Sequence, residues 1–404
     1  MTRKKLLVSL LLATIMIVIL APLTAEAIPA FARTHKISCT TCHAPFPRLK
    51  DFGEEFAGNG FTMPEAEKDR YFVTAGDDLL KLNKTFPIGV RFDAYTLFES
   101  DAAVNSDLQS PWALKMLSGG NVAKNIGYYF YFFMDERGEV AGVEDAYIHF
   151  NNIGGHPFDI RVGQFQTSDP VMKRELRLTY EDYLPYKVNI GQSAIDLTYD
   201  RGFMTTYDIE ATSTGLVAML TNGNGIPDAY EAESGAKIYD TDNEKNYGFK
   251  INQDLGGVAG VGYFYYNGRE LGFEAAAKAE DPALRTNEVI YHGADLNIGN
   301  GMFDLTFQYL FRRDTNPGFT ETFVDVETQG LIAELVISPQ RDRSRHYFTL
   351  LYNQIDSDWN NHDYESMTAG ATYLMARNVR LNVEYTRNLE LETNRGVLGL
   401  VTGF

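Results

Sequence analysis

The sequence predicts an all-β fold, a transmembrane antiparallel β-barrel of about sixteen strands behind a short helical N-terminal segment. Three observations predict it. From about Phe86 to the end, apolar and polar residues alternate with period two. The alternating segments run about ten residues, the length a tilted strand needs to cross a bilayer. The chain also holds 24 Tyr and 26 Phe, enough for aromatic girdles at two membrane interfaces.

The strands read one by one. Phe86, Ile88, Val90, Phe92, Ala94 and Phe98 share one face, and Arg91, Asp93 and Tyr95 share the other. Tyr247, Phe249 and Ile251 oppose Gly248, Lys250 and Asn252. Phe303, Leu305, Phe307, Tyr309 and Phe311 oppose Asp304, Thr306 and Gln308. Val379, Leu381, Val383 and Tyr385 oppose Arg380, Asn382 and Glu384. Leu398-Gly399-Leu400-Val401-Thr402-Gly403-Phe404 alternates up to a terminal aromatic and resembles the closing strand of outer-membrane proteins. The inward charges Arg91, Asp93, Lys250, Asp304, Arg380 and Glu384 are of both signs, which implies a polar lumen without a strong selectivity field.

Residues 1–27 read as a signal peptide: Arg3, Lys4 and Lys5, an apolar run from Leu6 to Leu23, then Ala25-Glu26-Ala27 as a small-x-small cleavage site. The expected destination is the outer membrane of a Gram-negative bacterium, with the lipid bilayer as a partner. The organisation is then residues 28–65 as a haem segment, 66–85 as a linker and 86–404 as the barrel. With 36 Lys and Arg against 54 Asp and Glu, the net charge is −18, so no nucleic acid is expected, since phosphate binding needs a basic face.

Two insertions break the alternation. Gln166–Gln192 carries Lys173, Arg174, Glu175, Arg177, Glu181 and Asp182, and either folds into or over the pore or is a solvated outer loop. Asn222–Asn246 is Gly-rich and acidic. Its Asn222–Asp228 stretch faintly resembles an oxygen-rich calcium loop, and its carboxylates are candidates for gathering metal ions.

The chemistry sits at Cys39-Thr40-Thr41-Cys42-His43, the chain's two cysteines and an adjacent histidine. C-x-x-C-H is the attachment pattern of a c-type haem. Two thiols this close each form a thioether to one vinyl group of a single porphyrin, and the following His falls under the iron as proximal ligand. Zinc needs four ligands, and no second Cys pair exists. One covalent haem c is therefore expected on Cys39, Cys42 and His43. Met63 and His35 are the segment's candidates for sixth ligand; a lumen residue or an open position is the alternative. Pro47 is expected to open a short helix that puts Leu49, Phe52 and Phe56 on one face and ends at Gly58-Asn59-Gly60. Arg33, Arg48 and Lys50 either reach the propionates or stay as solvated surface charges.

Ile28-Pro29-Ala30-Phe31-Ala32-Arg33, Cys39–His43, Phe46-Pro47-Arg48-Leu49, Phe52-Gly53 and Asn59-Gly60-Phe61 together resemble the start of the fused monohaem cytochrome–porin family, whose members include outer-membrane iron oxidases. Arg161-Val162-Gly163-Gln164-Phe165 is similar to a segment of phosphate-selective porins. The family resemblance implies a haem held at or inside the barrel, passing electrons between an extracellular redox partner or metal ion, ferrous iron among them, and a periplasmic electron carrier. It carries over Cys39, Cys42 and His43, and no substrate residue. A segment this short cannot bury a porphyrin alone, so barrel residues are expected to complete the pocket. The alternatives are a diffusion porin with a periplasmic haem appendage and a haem sensor with an open sixth position.

Overall fold

A computed structural model of the chain describes residues 30–63, 72–73, 76–77, 79–80, 82–83, 86–100, 102–232, 234–240, 242–272, 285–321 and 323–404. The expected signal peptide and most of the expected linker lie outside the described residues. Within the linker, Phe72–Val73 pairs antiparallel with Leu82–Asn83.

The barrel is built from β1 (Ile88–Glu99), β2 (Ser106–Ala123), β3 (Ile126–Glu136), β4 (Gly142–Phe150), β5 (Phe158–Gln166), β6 (Tyr199–Ile209), β7 (Thr214–Thr221) and β8 (Asn246–Asp254). It continues through β9 (Ala259–Leu271), β10 (Thr286–Gly299), β11 (Phe303–Asp314), β12 (Val326–Ile337), β13 (His346–Ser357), β14 (Tyr364–Ala376), β15 (Val379–Asn388) and β16 (Asn394–Gly403). Each strand pairs with the next, and β16 pairs antiparallel with β1, so the sheet closes as a barrel with no free edge. Closure satisfies every strand's backbone groups internally, which a lipid solvent demands.

Period-two patterning decides the faces. Phe249, Ile251, Phe307, Phe348, Leu350 and Val383 stand exposed on the outside, an arrangement suited to lipid rather than water. The six charges expected inside do point inward. Arg91 pairs with Asp93, Lys250 with Asp295 and Asp304 with Arg48. Arg380 donates to the Leu178 carbonyl, and Glu384 accepts the backbone N–H groups of Tyr180 and Glu181.

The expectation of a simply polar lumen needs correction. A buried apolar cluster fills much of the interior, including Phe165, Tyr186, Phe264, Tyr291, Ile332 and Leu351. Its cause is the 167–198 segment between β5 and β6, which folds into the barrel instead of lying outside. Tyr183 donates to Glu334 at 3.0 Å, Asn353 donates to the Asp182 carbonyl at 2.8 Å, and Tyr186 and Ile190 are fully buried.

Asp182 holds this loop's internal ion pairs. Burial alone would raise its carboxyl, but Arg177, Arg174 and Lys187 outweigh burial and hold it down at about 2. A folded value below the unfolded one, about 3.9, means the stabilisation is complete above about pH 4. It is lost as pH falls toward about 2, and amounts to roughly 2.5 kcal/mol. The chain's two tryptophans both report on the loop: Trp112 lies 5.5 Å from Tyr180, and Trp359 packs against the Val188–Ile190 cluster. Tryptophan emission of the folded barrel should therefore shift between about pH 4 and 2 and lose that shift in Asp182→Asn. Identical profiles in the two proteins would contradict this assignment.

The two ends of the barrel differ. Two-residue turns, Lys124-Asn125 and Arg377-Asn378, lie at the end where β1 starts and β16 finishes. The 167–198 and 222–245 connections lie at the other. Outer-membrane barrels have short periplasmic turns and long outer loops, which makes the short-turn mouth the periplasmic one. In the acidic outer loop, Tyr230–Glu231 pairs with Lys237–Ile238, Glu231 and Asp240 form ion pairs with Lys237 and Lys245, and Asp242 accepts the N–H groups of Glu244 and Leu271. Among the described residues no group of three or more His, Cys, Asp or Glu is placed to hold a metal ion.

Candidate functional site

Residues 30–63 enter the short-turn mouth as three short helices, α1 (Ala30–His35), α2 (Cys39–Cys42) and α3 (Asp51–Gly58). Ser38 caps α2: its side chain accepts the Thr40 N–H at 3.3 Å. One helical turn then brings the two thiols to the same side, and the His43 N–H donates to the Cys39 carbonyl at 2.8 Å.

Residues 43–49 form a closed loop, in which Ala44 N–H donates to the Arg48 carbonyl at 3.2 Å and Lys50 N–H to the Cys42 carbonyl at 2.8 Å. This pairing corrects the expected helix start. Residues 43–49 spend their backbone groups on each other, so Pro47 stays in the loop and α3 begins at Asp51. The face shifts accordingly. Phe56, Gly53 and Ala57 are buried, whereas Phe52 turns outward with 39% of its surface exposed. Gly53 has to be glycine, because any Cβ there would collide with the Cys42 carbonyl of the adjoining turn.

His43 is oriented by the same loop. Its Nδ1 lies 2.8 Å from the Pro47 carbonyl and 3.3 Å from the Arg48 carbonyl. Both partners are acceptors, so Nδ1 carries the proton and Nε2 keeps its lone pair. A backbone carbonyl on the second ring nitrogen is the usual support of a metal-ligating histidine. Burial lowers the imidazole's pKa, which also keeps it neutral. Burial raises both thiols, Cys39 and Cys42, and neither is in a disulfide.

Arg48 and Lys50 are held in ion pairs with the barrel rather than turned into the pocket, while Arg33 stays exposed at the surface. Arg48 reaches the barrel wall, 2.8 Å from Glu334 and 3.3 Å from Asp304. Lys50 pairs with Asp342 in the β12–β13 turn, and Arg33 donates to the Ile88 carbonyl at 2.6 Å. Glu54 pairs with Lys173 of the inward loop. Asn151 donates to the Asn59 carbonyl at 2.6 Å, and Phe61 stacks on Tyr129 with centroids 4.4 Å apart.

Segment, wall and inward loop enclose a cavity of about 1450 Å³, open mouth included. Its near side is Phe31, Ile37, Cys39, Cys42, His43, Phe46, Leu49 and Phe56; its far side is Arg91, Tyr129, Tyr131, Asp145, Tyr147, Arg161, Asp169 and Glu175. Neither Met63 nor His35 is among the lining residues; His35 packs edge-on against Phe56, centroids 5.4 Å apart. Arg91, Tyr129, Tyr131, Asp145, Tyr147 and Arg161 sit on strands and Asp169 and Glu175 in the inward loop, and nothing local in the sequence shows that the two groups meet.

No family model matches the chain, and no curated protein matches it. Solved structures do. OmpT of Vibrio cholerae, an outer-membrane protein in trimer form, is 12% identical, with a TM-score of 0.53 over 79% of this chain and 99% of its own. An anion-selective porin from Comamonas acidovorans is 11% identical, with a TM-score of 0.55 over 79% and 99%. The outer-membrane channel DcaP of Acinetobacter baumannii is 13% identical, with a TM-score of 0.53 over 79% and 97%. At such identities the likeness is one of fold, and the fold is the closed antiparallel barrel of Gram-negative outer-membrane porins.

Proposed function

We propose that this chain is an outer-membrane electron-transfer protein, a plugged barrel with one covalent haem c in the lumen, of the fused monohaem cytochrome–porin kind. It passes electrons between an extracellular partner, ferrous iron among the donors to be tested, and a periplasmic carrier. One observation carries the reading: a C-x-x-C-H turn with its His43 Nδ1 pinned by carbonyls borders a cavity that segment and barrel complete together.

The residues present fit the group. Cys39 and Cys42 are free thiols on the cavity, His43 offers Nε2, and the near wall is largely apolar. The far wall supplies two buried polar atoms without a hydrogen bond, Asp145 Oδ1 and Arg161 Nε, beside the Arg161 Nη1 that faces Asp169 at 3.5 Å. When bound, the haem supplies a one-electron ferric/ferrous couple. The chain's own part is to hold the imidazole neutral, to anchor the segment through Arg48, Lys50 and Glu54, and to keep bulk water out with the inward loop. The sixth position is a matter for ligand binding. Carbon monoxide uptake by the reduced protein marks it open, and a spectral change on Met63→Ala or His35→Ala assigns it to that residue.

A second reading, a diffusion porin with the haem segment as an appendage, is favoured by the porin fold of the barrel. Reconstitution in vesicles separates the two. An electron-transfer protein reduces a trapped redox dye from an external reductant without steady ion conductance. Large steady conductance, with no dye reduction beyond leakage, would support the porin and overturn the proposal.

A further inference from the structure

On the cavity's far wall two carboxylates face one guanidinium. Asp145 on β4 and Asp169 in the inward loop both line the cavity, and both act on Arg161 of β5. Asp169 holds Arg161 Nη1 at 3.5 Å, and Arg161 Cζ lies 4.3 Å from the centre of the Tyr147 ring, which restrains the guanidinium plane. Asp145 forms no ion pair among the described residues, and its buried Oδ1 accepts no hydrogen bond. The group around Arg161 thus carries one negative charge more than its cation matches. A buried charge without a partner is costly, and a proton removes it.

The other groups that face Asp145 do not balance it. Glu175 is held by Lys115, Arg174 and Arg177 at 2.7, 3.5 and 3.6 Å, and Lys173 is paired with Glu54. Tyr129 on β3, Tyr147 on β4 and Tyr199 on β6 also face it, and phenols are neutral at any pH below about 10. Glu144, the preceding residue on β4, is buried with Oε2 unbonded, but is not among the residues lining the cavity.

We infer that Asp145 is a redox-linked proton site: it takes up a proton when the haem iron is reduced and releases it on oxidation. The inference rests on the haem reading above. The step balances, since one electron converts ferric to ferrous iron and one proton from water converts the Asp145 carboxylate to the acid. Ferric iron carries one more positive charge and favours the carboxylate across the cavity, whereas ferrous iron favours the acid. Asp169 keeps its charge, because Arg161 stands closer to it.

The test uses the full chain with haem attached. Midpoint potential is titrated against pH, and reduced-minus-oxidised infrared spectra are recorded, for wild type, Asp145→Asn, Asp169→Asn and Glu144→Gln. The wild-type potential falls as pH rises, approaching about 59 mV per pH unit, the value for one proton per electron. The wild-type reduced state also shows a carboxylic acid C=O band. In Asp145→Asn the band is gone, and the potential stays near the wild-type acid limit at every pH, since a neutral amide replaces the acid. In Asp169→Asn the fall moves to lower pH, because Arg161 then serves Asp145 alone. Glu144→Gln keeps both the band and the fall. A flat wild-type potential would overturn the inference and spare the haem reading. So would the wild-type fall and band in Asp145→Asn, which would give the proton to Glu144 or a haem propionate. A wild-type chain without haem would overturn both.

Discussion

Arg312→Met should unlatch the inward loop and turn a closed barrel into a conducting one. Arg312 lies on β11, buried, and fastens three loop residues to the wall. It donates to the carbonyls of Val188 at 2.6 Å and Ile195 at 2.8 Å, and to the Ser193 hydroxyl at 3.0 Å. It is balanced by Asp314 at 2.6 and 2.8 Å. Methionine keeps much of the volume and removes every donor. Two loop carbonyls are then orphaned, and Asp314 keeps only Asn287 as a side-chain partner, at 2.9 Å. Breaking a buried pair in this way costs about 3–5 kcal/mol. The strand ladder is untouched, so the barrel persists and the loop bears the loss. Planar-bilayer conductance should rise, and Trp359 emission should shift to the red. Wild-type conductance and emission in this variant would show that the loop's other contacts hold it without Arg312.

Arg48→Ala should loosen the plug by a similar amount. Arg48 joins three parts of the molecule at one point. It donates to Glu334 on β12 at 2.8 Å and to Thr306 on β11 at 3.2 Å, and Glu334 also accepts the inward loop's Tyr183 hydroxyl at 3.0 Å. Without the guanidinium, a buried carboxylate is left with one neutral donor, again a loss of about 3–5 kcal/mol. Amide hydrogen exchange in residues 39–58 should quicken, while exchange in the strands stays slow. Glu334→Gln in the same chain should recover part of the protection, because the stranded charge is gone. Equal exchange in wild type and Arg48→Ala would mean that Arg48 does not anchor the segment.

The sequence carried much of this, and what it did not carry has a physical reason. Alternation marked strands because a side-chain period of two is local, and Phe303–Phe311 or Val379–Tyr385 can be read without knowing any neighbour. The C-x-x-C-H spacing is local as well. The helix start was misplaced, because the bonds that hold Pro47 in a loop run from Ala44 and Lys50 back onto the loop itself. The role of Arg48 was hidden for a different reason: Glu334 is 286 residues away. The direction of the 167–198 loop was equally hidden. Its charges suit a fold into the pore and a solvated outer loop equally, until Arg312, Asn353 and Arg380 are brought around it. The deep end of the cavity is the extreme case. Arg161, Tyr147 and Asp169 come to line one cavity only when β4, β5, the inward loop and the N-terminal segment meet.

The intact mass of the denatured chain, purified from cells able to attach c-type haem, shows whether a haem is bonded to Cys39 and Cys42. One haem should be retained after denaturation, with a Soret band before it, and both should be lost in Cys39→Ala/Cys42→Ala with the barrel still folded. A folded barrel of apoprotein mass with no Soret absorbance would contradict the haem reading.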